Sequence, residues 1–189
     1  MSLKKGMVLM FITLLLICSL LSGCGSGNMQ SRDTPQTFLE IIGDENLDDI
    51  SLTIFFLSPY VSTRIPLSID DLINFPETSK IVVNGEKLGD HVDLLNQLAN
   101  TDLVPVEGKV YINARVYYVF ESKTSGKIFE VAMWGAQLDD ESNYIEPCII
   151  VNGIAINVNE IFYDVIIPFL PEDAVKELEI YIGRRTWDE

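Results

Sequence analysis

The most regular hydrophobic pattern in the chain runs from Lys109 to Glu121. Val110, Ile112, Ala114, Val116, Tyr118 and Phe120 alternate with Tyr111, Asn113, Arg115, Tyr117, Val119 and Glu121. A period of two is that of an extended strand, and Lys127 to Trp134 repeats it beyond Ser125-Gly126, so an antiparallel pair is predicted. The first set is expected to face the core and the second, mixed set to be partly wet. Ile50 to Leu57 reads as a buried strand, and Lys80 to Val83 and Ile149 to Val151 as strands that each run into an Asn-Gly dipeptide. Asn-Gly favours positive φ at both centres of a tight hairpin turn, so turns are expected at Asn84-Gly85 and Asn152-Gly153.

Helices are predicted where capping residues precede apolar positions at helical spacing. Ser68 leads into Ile69 to Ile73 with acids in the first turn, and Asp90 leads into Val92, Leu95 and Leu98, with Leu94 widening that face. Another helix begins near Asn159. The last starts at Pro171 with proline in its first turn, and Ala174, Val175, Leu178, Tyr181 and Ile182 form its expected buried stripe. Arg184 and Arg185 lie beyond its end, where cations are favoured. Together these elements predict an α+β fold, an antiparallel sheet of β-hairpins with helices packed on one face, as a single domain over 37–189.

The first two dozen residues carry a different pattern. Lys4 and Lys5 precede an almost unbroken apolar stretch from Gly6 to Leu21, short for a membrane span, which ends in Leu21-Ser22-Gly23-Cys24. Charge, apolar stretch and tetrad in that order resemble the type II signal peptide of bacterial lipoprotein precursors. The resemblance implies recognition of Leu21, Ser22 and Gly23 by the signal peptidase, cleavage before Cys24, and lipid on the Cys24 thiol. Two acyl chains would hold the protein stably at a membrane where one holds only marginally. Residues 24–36 are small and polar, as in a flexible tether. The expected location is the outer side of the cell membrane, lipid-anchored.

Composition narrows the remaining classes. With 189 residues, nearly half of them apolar, the chain is long enough to bury a core. The formal net charge is -15, and loss of the leader would remove only cations, Lys4 and Lys5, leaving a surface that repels phosphate backbones. Nucleic acid is therefore not an expected partner; the membrane through its lipid anchor, and another envelope protein, are. Of three cysteines only Cys148 lies beyond Cys24, in an apolar run where thiols act as small hydrophobes.

No cofactor is implied, and no catalytic set stands out. His91 is the only histidine, so a two-histidine metal site cannot form. The acid pairs Asp70-Asp71 and Glu172-Asp173 are accounted for by helix starts. Asp139, Asp140 and Glu141 are the one calcium candidate, although they lack the alternating ligands and central glycine of an EF-hand loop. A binding surface is placed on the mixed strand face at Tyr111, Arg115 and Tyr117, with Trp134 at the tip of the partner strand. Tyr, Trp and Arg are the residue types that dominate binding hot spots. Ile50 to Leu57, Val83-Asn84-Gly85, Ala114 to Tyr118 and Val165 to Pro171 together resemble a domain of small Gram-positive lipoproteins of unknown function. A non-enzymatic binding or interaction module is the leading expectation. A carboxylate-based envelope hydrolase and an immunity or inhibitor protein against an exported toxin are the alternatives.

Overall fold

The computed structural model describes residues 45–184 and Thr186; the leader with Leu21, Ser22, Gly23 and Cys24, the tether 24–36 and Arg185 lie outside the described residues. The period-two segment forms two long strands, β3 (Lys109–Ser122) and β4 (Gly126–Leu138). Around them lie β1 (Ile50–Phe56), β2 (Ser79–Asn84), β5 (Tyr144–Val151) and β6 (Ile154–Asn157). The strands make a six-stranded sheet in the order β2-β1-β3-β4-β5-β6, antiparallel at every junction. Five helices complete this mixed α/β domain among the described residues: α1 (Ile69–Asn74), α2 (Gly85–Gly89), α3 (Val92–Ala99), α4 (Ile161–Asp164) and α5 (Glu172–Tyr181).

Alternation along the strands divides the apolar side chains into two clusters. Leu52, Ile54 and Phe56 of β1, Val116, Tyr118 and Phe120 of β3, Phe129 and Val131 of β4 and Ile149 of β5 pack with Leu88, Leu95, Leu98, Phe162 and Leu178 from α2 to α5. The neighbouring positions Tyr117, Val119 and Ala132 join a smaller cluster with Leu57, Leu67 and Leu72 of α1. Helices thus lie over both faces, and the expectation of helices on one face omits α1. The second strand face holds too many apolar residues to stay in water, so α1 and the preceding loop cover it.

The expected unbroken alternation of β3 fails at one place. Between Ile112 and Val116 the register with β4 shifts, and Ala114 and Ile112 pack with the second cluster rather than with Val116, Tyr118 and Phe120. Three β3 residues, Asn113 to Arg115, stand opposite the single β4 residue Trp134, and across this irregularity the side chains change face. The break coincides with the end of β1. There Leu57 N donates to Arg115 O at 2.8 Å and Ala114 N donates to Leu67 O at 2.8 Å, so the loop takes over the hydrogen bonds β1 supplied.

The two Asn-Gly dipeptides do different things. Asn152 and Gly153 have φ of 48° and 79° and join β5 to β6 in the expected tight turn. Asn84 instead caps α2, its Oδ1 accepting from Lys87 N at 3.2 Å, so the expected hairpin at Asn84-Gly85 is replaced by a helix start. Tertiary packing decides the difference. A Cβ on Gly85 would run into the Leu47 carbonyl oxygen and come within 2.7 Å of Asp48 Cα.

Ser68 caps α1 in a full capping box with Asp71, as its spacing predicts. Asp90 does not cap α3; that position is His91, whose side chain makes no cap hydrogen bond and packs edge-on against Phe169 at 5.1 Å. Val92 is exposed while Leu95 and Leu98 are buried. Pro171 occupies the N-cap position of α5 rather than its first turn.

At the start of the described chain, Glu45 ties the domain to the β3–β4 turn. Its carboxylate accepts from Ser125 Oγ at 2.6 Å, Ser122 Oγ at 2.8 Å and Thr124 Oγ1 at 3.1 Å. The hydroxyls of Ser125 and then Ser122 hold the carboxyl below its ordinary value of 4.5, against burial and the charge of Asp49.

Two measurements test these contacts. Gly85→Ala is expected to lower the unfolding free energy by about 1 to 3 kcal/mol or more, because backbone must move. Gly153→Ala, with open space around it but φ of 79°, is expected to cost only about 1 to 2 kcal/mol of backbone strain. Urea denaturation that ranked them the other way would remove the close approach at Leu47. For Glu45 the folded carboxyl is depressed, so its stabilisation is present above the unfolded value near 4.5 and lost as pH falls through the folded one. Glu45→Gln is thus expected to melt below the parent at neutral pH, with the gap closing in acid; a pH-independent gap in calorimetry would refute the assignment.

Candidate functional site

The largest concentration of exposed aromatic surface lies where β3, β4 and β5 run beyond the core toward α4 and α5. A groove of 440 Å³ is lined by Tyr111, Trp134, Tyr144, Pro147, Tyr163 and Tyr181. It continues through Pro147, Tyr163 and Tyr181 into a second depression of 290 Å³ that ends at Glu160 and Arg184. Tyr111, Tyr144 and Tyr181 are 43%, 64% and 47% exposed, although rings of this size are ordinarily withdrawn from water.

Each ring is held by a different feature of the fold. Tyr111 precedes the β3 register break. Trp134 sits in a second break, between Ala132 and Gly135 in the β4–β5 pairing, with φ of 74°. A left-handed backbone at a bulky residue costs about 1 to 3 kcal/mol, and such strain gathers at functional sites. Here it sets the indole 4.9 Å from the Tyr181 ring and 6.3 Å from the Tyr163 ring. Tyr60 closes the row with its ring 6.2 Å from that of Tyr181. Arg184 binds Asp164 of α4 and, at 2.9 Å, Glu160, which fixes the end of α5 against α4.

Arg115 is the buried cation of this region, 6% exposed. Its Nη2 donates to Thr63 Oγ1 at 3.0 Å, whereas Nη1 is buried with no hydrogen-bond partner. No carboxylate of the described residues makes an ion pair with it. Burial lowers its pKa, and Tyr181 and Tyr111 oppose that shift electrostatically. Trp134 Nε1 is likewise buried and unpartnered. The Tyr118 hydroxyl, close enough to Tyr163 to feel it electrostatically, is also buried without a hydrogen-bond partner.

Of the predicted surface, the structure brings Tyr111, Arg115 and Trp134 to this region and sends Tyr117 elsewhere. Tyr117 faces the second cluster, stacks on Phe55 at 5.9 Å and donates to Glu130 Oε2 at 2.6 Å, while Lys127 Nζ donates to the same oxygen at 2.9 Å. Burial first, then Glu130, pushes its phenol well above the ordinary value of 10.0. The register break that separates it from Tyr111 leaves no trace in the alternation of residue types. Tyr144, Tyr163 and Tyr181 were absent from the predicted surface. Tyr181 falls on the apolar stripe of α5, where helical spacing alone assigns it to the core. Its place in the last turn, shortly before Arg184 and Arg185, is the one signal that could have separated it.

The other candidates resolve locally. Asp139 accepts from Asn143 N at 2.8 Å and Nδ2 at 2.9 Å, which hold its carboxyl below the usual range in a self-contained turn. Asp140 contributes its backbone carbonyl to Lys109 Nζ at 2.9 Å, and no group of three metal-binding side chains occurs among the described residues. Cys148 is buried, and burial raises its thiol pKa, the opposite of what a reactive cysteine needs. A wider shelf of 580 Å³ beside Asp48, Asp49, Asn84 and Lys123 carries an exposed Lys123–Asp49 pair at 2.8 Å, a contact of little energetic weight.

No protein-family model, curated protein or solved structure matches the chain.

An unpaired buried charge costs stability, so a residue of similar volume without the charge should be tolerated here. Arg115→Met is expected to leave the unfolding free energy unchanged or raise it by up to roughly 4 kcal/mol. Chemical denaturation checks the sign, and a loss of several kcal/mol would show that Arg115 serves the fold rather than the groove.

Proposed function

We propose that the protein is a non-enzymatic interaction module displayed on the outer side of the cell membrane, held there by lipid on Cys24, with the aromatic groove as its partner-binding surface. The observation that carries this reading is the row of half-exposed rings, Tyr111, Tyr144 and Tyr181, around a Trp134 held in a strained backbone. Tyrosine and tryptophan supply large contact areas at low cost in side-chain entropy and dominate interface energetics. The resemblance of Leu21 to Cys24 to a lipobox supports the location. Strand pairs joined as hairpins, with the larger helical layer over one face, give the groove a rigid floor.

The test is a crosslinking pull-down from the native envelope with the full chain, compared with a Tyr111→Ala, Tyr144→Ala, Tyr181→Ala triple variant. One dominant protein captured by the parent and lost in the variant is the expected result. Equal capture by both would remove the groove from the interface. In parallel, Cys24→Ser is expected to release the chain from the membrane fraction, and retention at parental levels would refute the lipid anchor.

A further inference from the structure

The sheet has two edges, and the chain treats them differently. At β6 the segment Val104 to Val106 closes the edge: Val106 N donates to Ala155 O at 3.0 Å, Asn157 N donates to Val104 O at 3.0 Å, and Pro105 bridges to Ile156. β2, the opposite edge, pairs with β1 alone, and no backbone hydrogen bond from its outer side reaches a described residue. An open edge is a template for another strand, and proteins blunt it with proline, bulges or charged side chains. β2 has no proline, keeps an uninterrupted register with β1 and carries a single charge, Lys80.

The side chains of β2 suit a second β2. Ile81 and Val83 lie across from Ile54 and Leu52 and pack with the first cluster, whereas Lys80 and Val82 occupy the opposite face, with Val82 62% exposed. Antiparallel pairing about a two-fold axis through Val82 keeps every residue on its own face: Val82 meets its counterpart, Ile81 meets Val83, and Lys80 meets Asn84. No like charges stand opposite each other, and the exposed valines cover one another. Just beyond Asn84 lies the shelf of Asp48, Asp49 and Glu86. Lys80 Nζ sits over the Phe55 ring at 5.5 Å, and neither Lys80 nor Glu86 makes an ion pair with a described residue. This register therefore brings the unpaired cation of each copy to the acidic shelf of the other. We infer that β2 is the interface for a second copy of this chain, the two β2 strands pairing antiparallel about Val82 so that one sheet runs through both copies. The groove, built on β3 to β5 with α4 and α5, is left open for its own partner.

The experiment places cysteines on the full chain in native membranes and follows disulfide formation under a mild oxidant, with the parent, whose Cys148 is buried, as baseline. Lys80 and Val82 are exposed, so changes there leave the monomer folded. Val82→Cys is expected to give a covalent dimer about tenfold or more faster than Lys80→Cys, because Lys80 stands opposite Asn84 and too far from its own counterpart to be bridged. Lys80→Cys combined with Asn84→Cys should recover the fast rate. Adding Lys80→Glu to Val82→Cys should slow dimer formation about tenfold, and Glu86→Lys on top of it should restore the rate. Equal rates for the two single cysteines would mark chance collision and overturn the pairing, as would the absence of a dimer from Val82→Cys. An unchanged rate with Lys80→Glu would overturn the register. A photo-crosslinker at position 82 that captured a different polypeptide in place of a second copy would overturn the inference in favour of a partner's strand.

Discussion

The register break in β3 between Ile112 and Val116 is the constraint on which the rest of the domain depends. On its C-terminal side, β3 is a central strand, paired with β1 from Val116 to Ser122 and with β4 on the other edge. On the N-terminal side β1 has ended, and the loop carrying Leu57 and Leu67 takes up backbone groups of Arg115 and Ala114. A strand that lost a neighbour without such replacement would leave polar backbone groups buried and unsatisfied. The break therefore does two jobs. It turns Ile112 and Ala114 toward the second cluster, and it separates Tyr111 and Arg115 from Tyr117, which a regular strand would align on one face.

A second break, at Trp134 in the β4–β5 pairing, lies beside the first. Two neighbouring bulges at one end of a sheet bend it and re-aim side chains, and bulges are over-represented next to active sites. The helical layer completes the arrangement: the Arg184 bonds to Glu160 and Asp164 hold α5 to α4, and with them Tyr181 opposite the indole. The groove is thus assembled from β3, β4, β5, α4 and α5, elements whose separate sequences show nothing in common.

How much of this was legible follows from the range of each interaction. Local chemistry read correctly: Ser68 caps α1 because its partner is three residues away, Asn152-Gly153 turns because both residues accept positive φ, and Cys148 is buried as its apolar neighbours imply. Asn84-Gly85 read wrongly because the same dipeptide is used against a distant surface. Gly85 is pressed against Leu47 and Asp48, and its missing Cβ is needed for that approach rather than for a turn. The alternation in β3 predicted a strand and its pairing, yet could not reveal the break in register, since Asn113 and Arg115 suit either face. Of the predicted surface, Tyr111, Arg115 and Trp134 are together and Tyr117 is not; the tyrosines contributed by β5 and the two helices required the fold.

Arg115 shows why an isolated buried charge is informative. A guanidinium cannot shed its proton to escape a poorly solvated site, as a lysine or histidine can. Its burial therefore remains a standing cost, offset here by one hydrogen bond to Thr63. A methionine would fill similar volume without that cost. The chain is rich in acids, and Asp164 and Glu160, either of which could have balanced a cation, are both spent on Arg184. Arg184 sits nearer to water, where pairing contributes least to stability, and the residue that would gain most from a carboxylate has none of the described ones.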